Sequence, residues 1–294
     1  MRSCLCVLAS LALVLSTLWP AAASAAAADP ARPLWLRHPA VSPDGSRIAF
    51  AYAGQIWIMP AAGGEAVPLT SALFYSTRPV WAPDGQRIAF ASSRNGNADV
   101  FVMPADGGAI TQLTHHSAPD LPQAFTPDGK EVLFTSPRLG SAKADALDSA
   151  RGLGPLLPQL YAVPAGGGRA HLVLPTPALD VQPSADGARL LYTDLRSPEN
   201  EFRKHHQSDA ARDVWLVDSR SGAHRRLTDF RGEDRNAVWS PTEDAVVWLS
   251  ERSGSFNVWR QPLAGGAAQQ ITFHKDNPVR FLSSARDGTL VYGY

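Results

Sequence analysis

The sequence predicts an all-β fold, a six-bladed β-propeller of four-stranded antiparallel blades, truncated within the sixth blade. Three observations carry that expectation. One turn recurs along the chain: Ser42-Pro43-Asp44-Gly45, Ala82-Pro83-Asp84-Gly85 and Thr126-Pro127-Asp128-Gly129. It returns in altered form as Ser184-Ala185-Asp186-Gly187, Ser240-Pro241-Thr242-Glu243 and Ala285-Arg286-Asp287-Gly288. The segments around each turn keep one order. No segment reads as a long amphipathic helix.

Each unit opens on an apolar or aromatic pair, as in Val80-Trp81, Ala124-Phe125 and Val238-Trp239. In the turn, Pro presets φ, Asp bonds back to the backbone and Gly takes the left-handed position. A second strand follows, such as Ile48-Ala49-Phe50, Ile88-Ala89-Phe90 or Val132-Leu133-Phe134. A third follows that: Ile56-Trp57-Ile58, Val100-Phe101-Val102, Tyr161-Ala162-Val163, Val214-Trp215-Leu216. A glycine-rich turn, for example Ala62-Gly63-Gly64, leads to a short closing strand ending in Leu69-Thr70, Leu113-Thr114, Leu227-Thr228 or Ile271-Thr272. Four short strands in about 40 to 45 residues make one propeller blade. Stacked blades bury both faces of an inner strand, so large and small apolar residues alternate, as in Ile88-Ala89-Phe90-Ala91. Five units are complete; the sixth has its Asp287-Gly288 turn and a second strand at Thr289 to Tyr292. An unpaired blade edge is a liability, so the chain is expected to be the N-terminal piece of a longer protein.

Ahead of the repeats, Arg2, the apolar run Leu5 to Trp19 and Ala23-Ser24-Ala25 read as a secretory signal peptide over residues 1–25. Residues 26–33 form a linker and 34–294 the propeller. The run is short for a transmembrane anchor, so no membrane span is expected after cleavage, and the location is secreted or periplasmic. Cys4 and Cys6 are both lost with the signal, leaving no disulfide.

The 27 basic and 27 acidic side chains balance, which argues against nucleic acid as a partner. No Gly-x-Ser-x-Gly elbow, phosphate loop or dinucleotide fingerprint occurs. No cofactor and no metal are expected. His205-His206 with Glu199 and Glu201 hints at metal ligands, but no spaced histidine pair supports it; a solvated charged loop is the plainer reading.

Chemistry gathers on one face. Loops joining strands two and three, and linkers between blades, share the face opposite the Pro-Asp-Gly turns. Two insertions fall there, from Ser136 to Gln159 and from Asp194 to Asp213, the second highly charged. Insertions gathered on one face mark a binding side.

Narrower motifs carry a family resemblance. These are Trp35-Leu36-Arg37-His38-Pro39, Glu199-Asn200-Glu201-Phe202-Arg203-Lys204-His205-His206, Gly232-Glu233-Asp234-Arg235-Asn236, Gly254-Ser255-Phe256-Asn257-Val258 and Pro278-Val279-Arg280-Phe281-Leu282. Together the motifs resemble the N-terminal six-bladed propeller of tricorn-type proteases, with Phe202 standing where Trp is expected. The resemblance implies a parent serine peptidase continuing into PDZ and protease domains, with the propeller gating peptides or unfolded polypeptide, and catalysis outside this chain. The expected substrate-binding residues are Arg37, His38, Glu201, Arg203, His205, Glu233, Asp234, Arg235 and Arg280, holding peptide termini through charge-assisted hydrogen bonds. A homo-oligomer stays open. The broader repeat also resembles TolB-like interaction propellers and the propellers of prolyl-oligopeptidase-like enzymes.

Overall fold

The computed structural model describes residues 35–138, 157–196 and 210–294. The expected signal peptide and linker lie outside them. Sheet one holds β1 (Arg37–Val41), β2 (Arg47–Tyr52), β3 (Gln55–Pro60) and β4 (Val67–Pro68). Sheet two holds β5 (Ser76–Trp81), β6 (Arg87–Asn95), β7 (Asn97–Pro104) and β8 (Thr111–Gln112). Sheet three holds β9 (Leu121–Phe125), β10 (Glu131–Ser136), β11 (Gln159–Pro164) and β12 (His171–Leu174). Sheet four holds β13 (Ala178–Pro183), β14 (Arg189–Asp194), β15 (Val214–Asp218) and β16 (His224–Arg226). Sheet five holds β17 (Asp234–Trp239), β18 (Ala245–Ser250), β19 (Asn257–Pro262) and β20 (Gln269–Gln270); sheet six pairs β21 (Arg280–Ser284) with β22 (Leu290–Gly293). Every pairing is antiparallel between neighbours in chain order. The six blades expected from the sequence are therefore five four-stranded blades and one two-stranded sheet among the described residues.

The recurrent residues build this by identifiable bonds. Ser42 Oγ donates to Asp44 Oδ1 at 2.5 Å and the Ser46 N–H to the same oxygen at 3.1 Å. Thr126 and Lys130 repeat this around Asp128. Hydrogen bonds from the turn's own hydroxyl and amide hold both carboxyls down at about 2. Gly45 has φ 74°, which a Cβ would strain. At the equivalent place in sheet five Glu243 takes φ 54°, and its carboxylate accepts from Ala185 N–H and Arg189. The closing threonine is a clasp: Thr70, Thr114, Thr228 and Thr272 Oγ1 accept the third-strand amides of Ile56, Val100, Val214 and Val258, at 2.9 to 3.0 Å.

Sheets pack face to face through five buried apolar clusters, each between consecutive sheets. Ile56, Phe90 and Phe101 lie in the cluster between sheets one and two. Val100, Phe134 and Tyr161 lie between sheets two and three. The series continues through Leu160 and Tyr192, then Leu216 and Trp248, then Leu249 and Leu282. Arginines stitch the seams: Arg47, Arg87 and Arg189 at the head of a second strand lie over Trp81, Phe125 and Trp239 of the next sheet, 5.0, 5.5 and 4.7 Å from the ring centres. Sheet three has Glu131 at that position and Pro183 follows in sheet four, so both halves of the pair are replaced together.

The innermost strands β1, β5, β9, β13, β17 and β21 contact one another in succession, and β21 meets β1. The ring is thus closed on itself. That last seam holds no buried apolar cluster among the described residues. Polar contacts serve it: the Val41 N–H donates to Ser283 Oγ at 3.1 Å and the Arg286 N–H to Pro43 O at 3.2 Å. Both insertions leave from the expected place, between β10 and β11 and between β14 and β15.

Candidate functional site: the axial cavity

Each innermost strand starts on the insertion side and runs to its turn on the other. Each also carries a one-residue bulge. In β1, Arg37 pairs with Ala51 and Ala40 with Ala49, so His38 and Pro39 face Phe50 alone. The same irregularity recurs in β5, β9, β13, β17 and β21. The residue three before each strand's end is left-handed: His38 φ 50°, Arg78 φ 53°, Asp180 φ 50°, Asn236 φ 52° and Phe281 φ 57°. Pro122 occupies this position in β9, where a proline ring forbids positive φ. A non-glycine residue held there costs roughly 1–3 kcal/mol. His38 and Arg78 also precede prolines, which favours extended backbone. Five strained residues at one level of the ring re-aim their side chains toward the axis.

The result is a cavity of about 160 Å³ on the insertion side of the axis. Four arginines line it: Arg78, Arg212, Arg235 and Arg280. Arg212 is delivered by the end of the charged insertion, just before β15. Glu233 stands behind two of them, accepting from Arg235 Nη1 at 3.2 Å and lying 3.7 Å from Arg212 Nη1. The Arg235 guanidinium also lies over Phe256, 4.5 Å from its centre. Asp180 brings a carboxylate, which accepts from Thr193 Oγ1 at 3.1 Å. His38 packs on Phe281 with ring centres 4.2 Å apart. Burial, helped by Arg78 and Arg37, pushes the His38 imidazole down to about 3, so it is neutral at physiological pH. Asn236 is committed to holding sheets five and six together, through Leu282 N–H at 2.7 Å and Leu282 O at 3.1 Å.

Of the residues expected from the sequence, His38, Arg235 and Arg280 line this cavity and Glu233 supports it. Arg37 is exposed at the head of β1, its guanidinium 5.8 Å from the Trp35 ring centre. Asp234 does not reach the cavity: it is fully buried and accepts from Arg252 Nη2 at 2.7 Å. Glu201, Arg203 and His205 lie outside the described residues. Arg78, Arg212 and Asp180 were not anticipated. The signal that finds Arg78 and Asp180 is their common offset from the turn. Exposed apolar residues flank the mouth's surroundings on the same face, with Trp35, Leu73 and Tyr75 at 77%, 83% and 56% exposure. Among the described residues no group of three or more His, Cys, Asp or Glu is arranged to hold a metal, and no helix is long and apolar enough to cross a membrane.

A family model described as the tricorn protease N-terminal beta propeller domain matches residues 33–294. The chain belongs to that family. In fold it is similar to the tricorn protease crystal structure, with TM-score 0.70 and 20% identity over 89% of this chain and 24% of that one. It is also similar to a putative TolB from Agrobacterium tumefaciens, TM-score 0.66 and 17% identity, covering 88% of this chain and 91% of that one. By sequence it is 33% identical over 95 residues to the Tol-Pal system protein TolB of Wolinella succinogenes, which is 32% of this chain and 20% of that protein. The chain thus matches about a quarter of the tricorn structure and a fifth of that TolB.

Proposed function

We propose that this chain is the N-terminal substrate-gating propeller of an exported tricorn-like serine peptidase, with catalysis supplied by domains outside it. The observation that carries the reading is the family match over the whole repeat region, 33–294, on a chain whose arginine-lined axial mouth opens on the same face as both insertions. In this reading the intact ring has six blades, residues 1–25 are a cleaved signal peptide and the protein works in the periplasm or outside the cell. The ligand is a peptide or unfolded polypeptide, and the nearest partners are PDZ and protease domains of the parent polypeptide. The mouth is suited to receive a peptide: its arginines offer rigid forked donors, and the apolar residues nearby offer contact area for side chains. Arg37, Glu201, Arg203 and His205 would complete the charged rim.

A stand-alone interaction propeller of TolB type is the second reading. It is favoured by the 33% identity to a TolB and by the 91% share of the Agrobacterium protein covered. The coding region downstream of Tyr294 separates the two. The peptidase reading expects a PDZ domain followed by a serine-protease core. A stop codon soon after Tyr294 sinks it in favour of the TolB-like reading.

A further inference from the structure

We propose that the axial cavity is an oxyanion-binding site, with Arg78 as its principal ligand. The inference takes the same face as the peptide reading but holds independently of any peptidase.

Arg78 is the instructive residue. It sits part-buried in the cavity wall at φ 53°, before Pro79. Among the described residues its guanidinium makes no hydrogen bond and no ion pair. The left-handed backbone recurs in five of the six innermost strands and belongs to the fold; what sets Arg78 apart is a part-buried cation without an ion pair among the described residues, facing a recessed space. The other groups point the same way. Arg235 and Arg212 both lie against the carboxylate of Glu233. Asp180 is the one carboxylate in the cavity lining among the described residues; it accepts from Thr193 Oγ1, and its charge is set against four lining arginines. His38, beside Arg78, is neutral and adds an imidazole able to donate or accept without contributing charge.

The surroundings strengthen the field. Pro39, Pro79, Phe281 and Leu282 are apolar walls, and low-dielectric walls around like charges focus the potential on what lies between them. Guanidinium forks match the two oxygens of a carboxylate or phosphate. A volume of about 160 Å³ accommodates one such group. Two sources share this chemistry: the terminal carboxylate of a peptide entering along the axis, and a free oxyanion such as inorganic phosphate.

The test is calorimetric titration of the mature chain, in a zwitterionic buffer, with three probes. These are inorganic phosphate, a short peptide with a free carboxyl terminus, and the same peptide as its C-terminal amide. Loss of a charge-assisted bond predicts that Arg78→Gln weakens phosphate or free-carboxyl binding about 10-fold or more. Its thermal unfolding should stay close to the wild type, because no hydrogen bond or ion pair among the described residues is lost. Arg169→Gln, on an exposed turn away from the axis, should leave binding unchanged. Phosphate binding displaced by the free-carboxyl peptide but not by the amide identifies a peptide terminus as the occupant. Phosphate binding that neither peptide displaces identifies a free anion and counts against the peptide reading alone. Equal affinity of wild type and Arg78→Gln for phosphate and for both peptides overturns the inference while leaving peptide binding intact. No binding of phosphate or the free-carboxyl peptide at millimolar concentration also overturns it.

Discussion

Replacing Arg252 by Ala is expected to cost about 3–5 kcal/mol, because it strands a buried carboxylate without its counter-charge. Asp234 is 0% exposed and its partner is the Arg252 Nη2 at 2.7 Å. The guanidinium also lies over the rings of Phe230, Trp248 and Trp259, 5.3, 5.4 and 5.1 Å from their centres. Burial pushes the Asp234 carboxyl up and Arg252 opposes that. With the arginine gone, the acid must either ionise in an apolar site or take up a proton. For a domain of this size the loss corresponds to roughly 10 °C in melting temperature. The double variant Arg252→Ala/Asp234→Asn should recover a measurable part of it, since the stranded charge is removed. Thermal unfolding followed by circular dichroism checks both. An unchanged melting temperature for Arg252→Ala would show that the pair contributes nothing.

A comparable loss is expected from Phe90→Ala. Phe90 is fully buried in the cluster joining sheets one and two, and stacks on Phe101 with ring centres 5.9 Å apart. Truncating a buried Phe costs about 3–5 kcal/mol, through lost transfer energy and the cavity left behind. The cavity would open in the apolar cluster between two blades, beside Arg47 over Trp81 and the Trp81 indole N–H donating to Ala40 O at 2.8 Å. Phe90→Leu keeps most of the volume and should recover most of the stability. A urea midpoint for Phe90→Ala equal to wild type would contradict this account of the seam.

The blade architecture was legible because its determinants are local. Pro-Asp-Gly turns need φ preset, a bonded carboxylate and a left-handed residue within four positions, and sequence displays all three. The closing Leu-Thr pair was visible too, although its purpose was not: Thr114 is a clasp on the Val100 amide and on Asp99. The axial cavity was only half legible. His38, Arg235 and Arg280 were reached through the family motifs that open the innermost strands. Arg78 was not, because Arg-Pro reads as extended chain, whereas the bulge in β5 holds it in the left-handed region. The cavity joins residues as distant as His38 and Ser283, a proximity that no local pattern encodes. Asp234 was misplaced for the opposite reason. Its charge suggested substrate binding, while its partner stands at or just past the end of strand two in a pattern repeated as Ser92-Ser93-Arg94, Ser136-Pro137-Arg138 and Ser250-Glu251-Arg252. In sheet three the same device pairs Arg138 with the buried Asp120. That repeat marks Asp234 as a structural acid, not a ligand.

The central claim is that the chain binds peptide without cleaving it. The most direct measurement is to titrate a fluorescently labelled peptide with the purified chain, following anisotropy, and to analyse the same samples for cleavage products by mass spectrometry. Saturable binding is expected, weakened when Arg280 or Arg235 is replaced, with intact peptide throughout. Turnover that survives a serine-protease inhibitor, or the absence of any binding at millimolar chain, would contradict that claim.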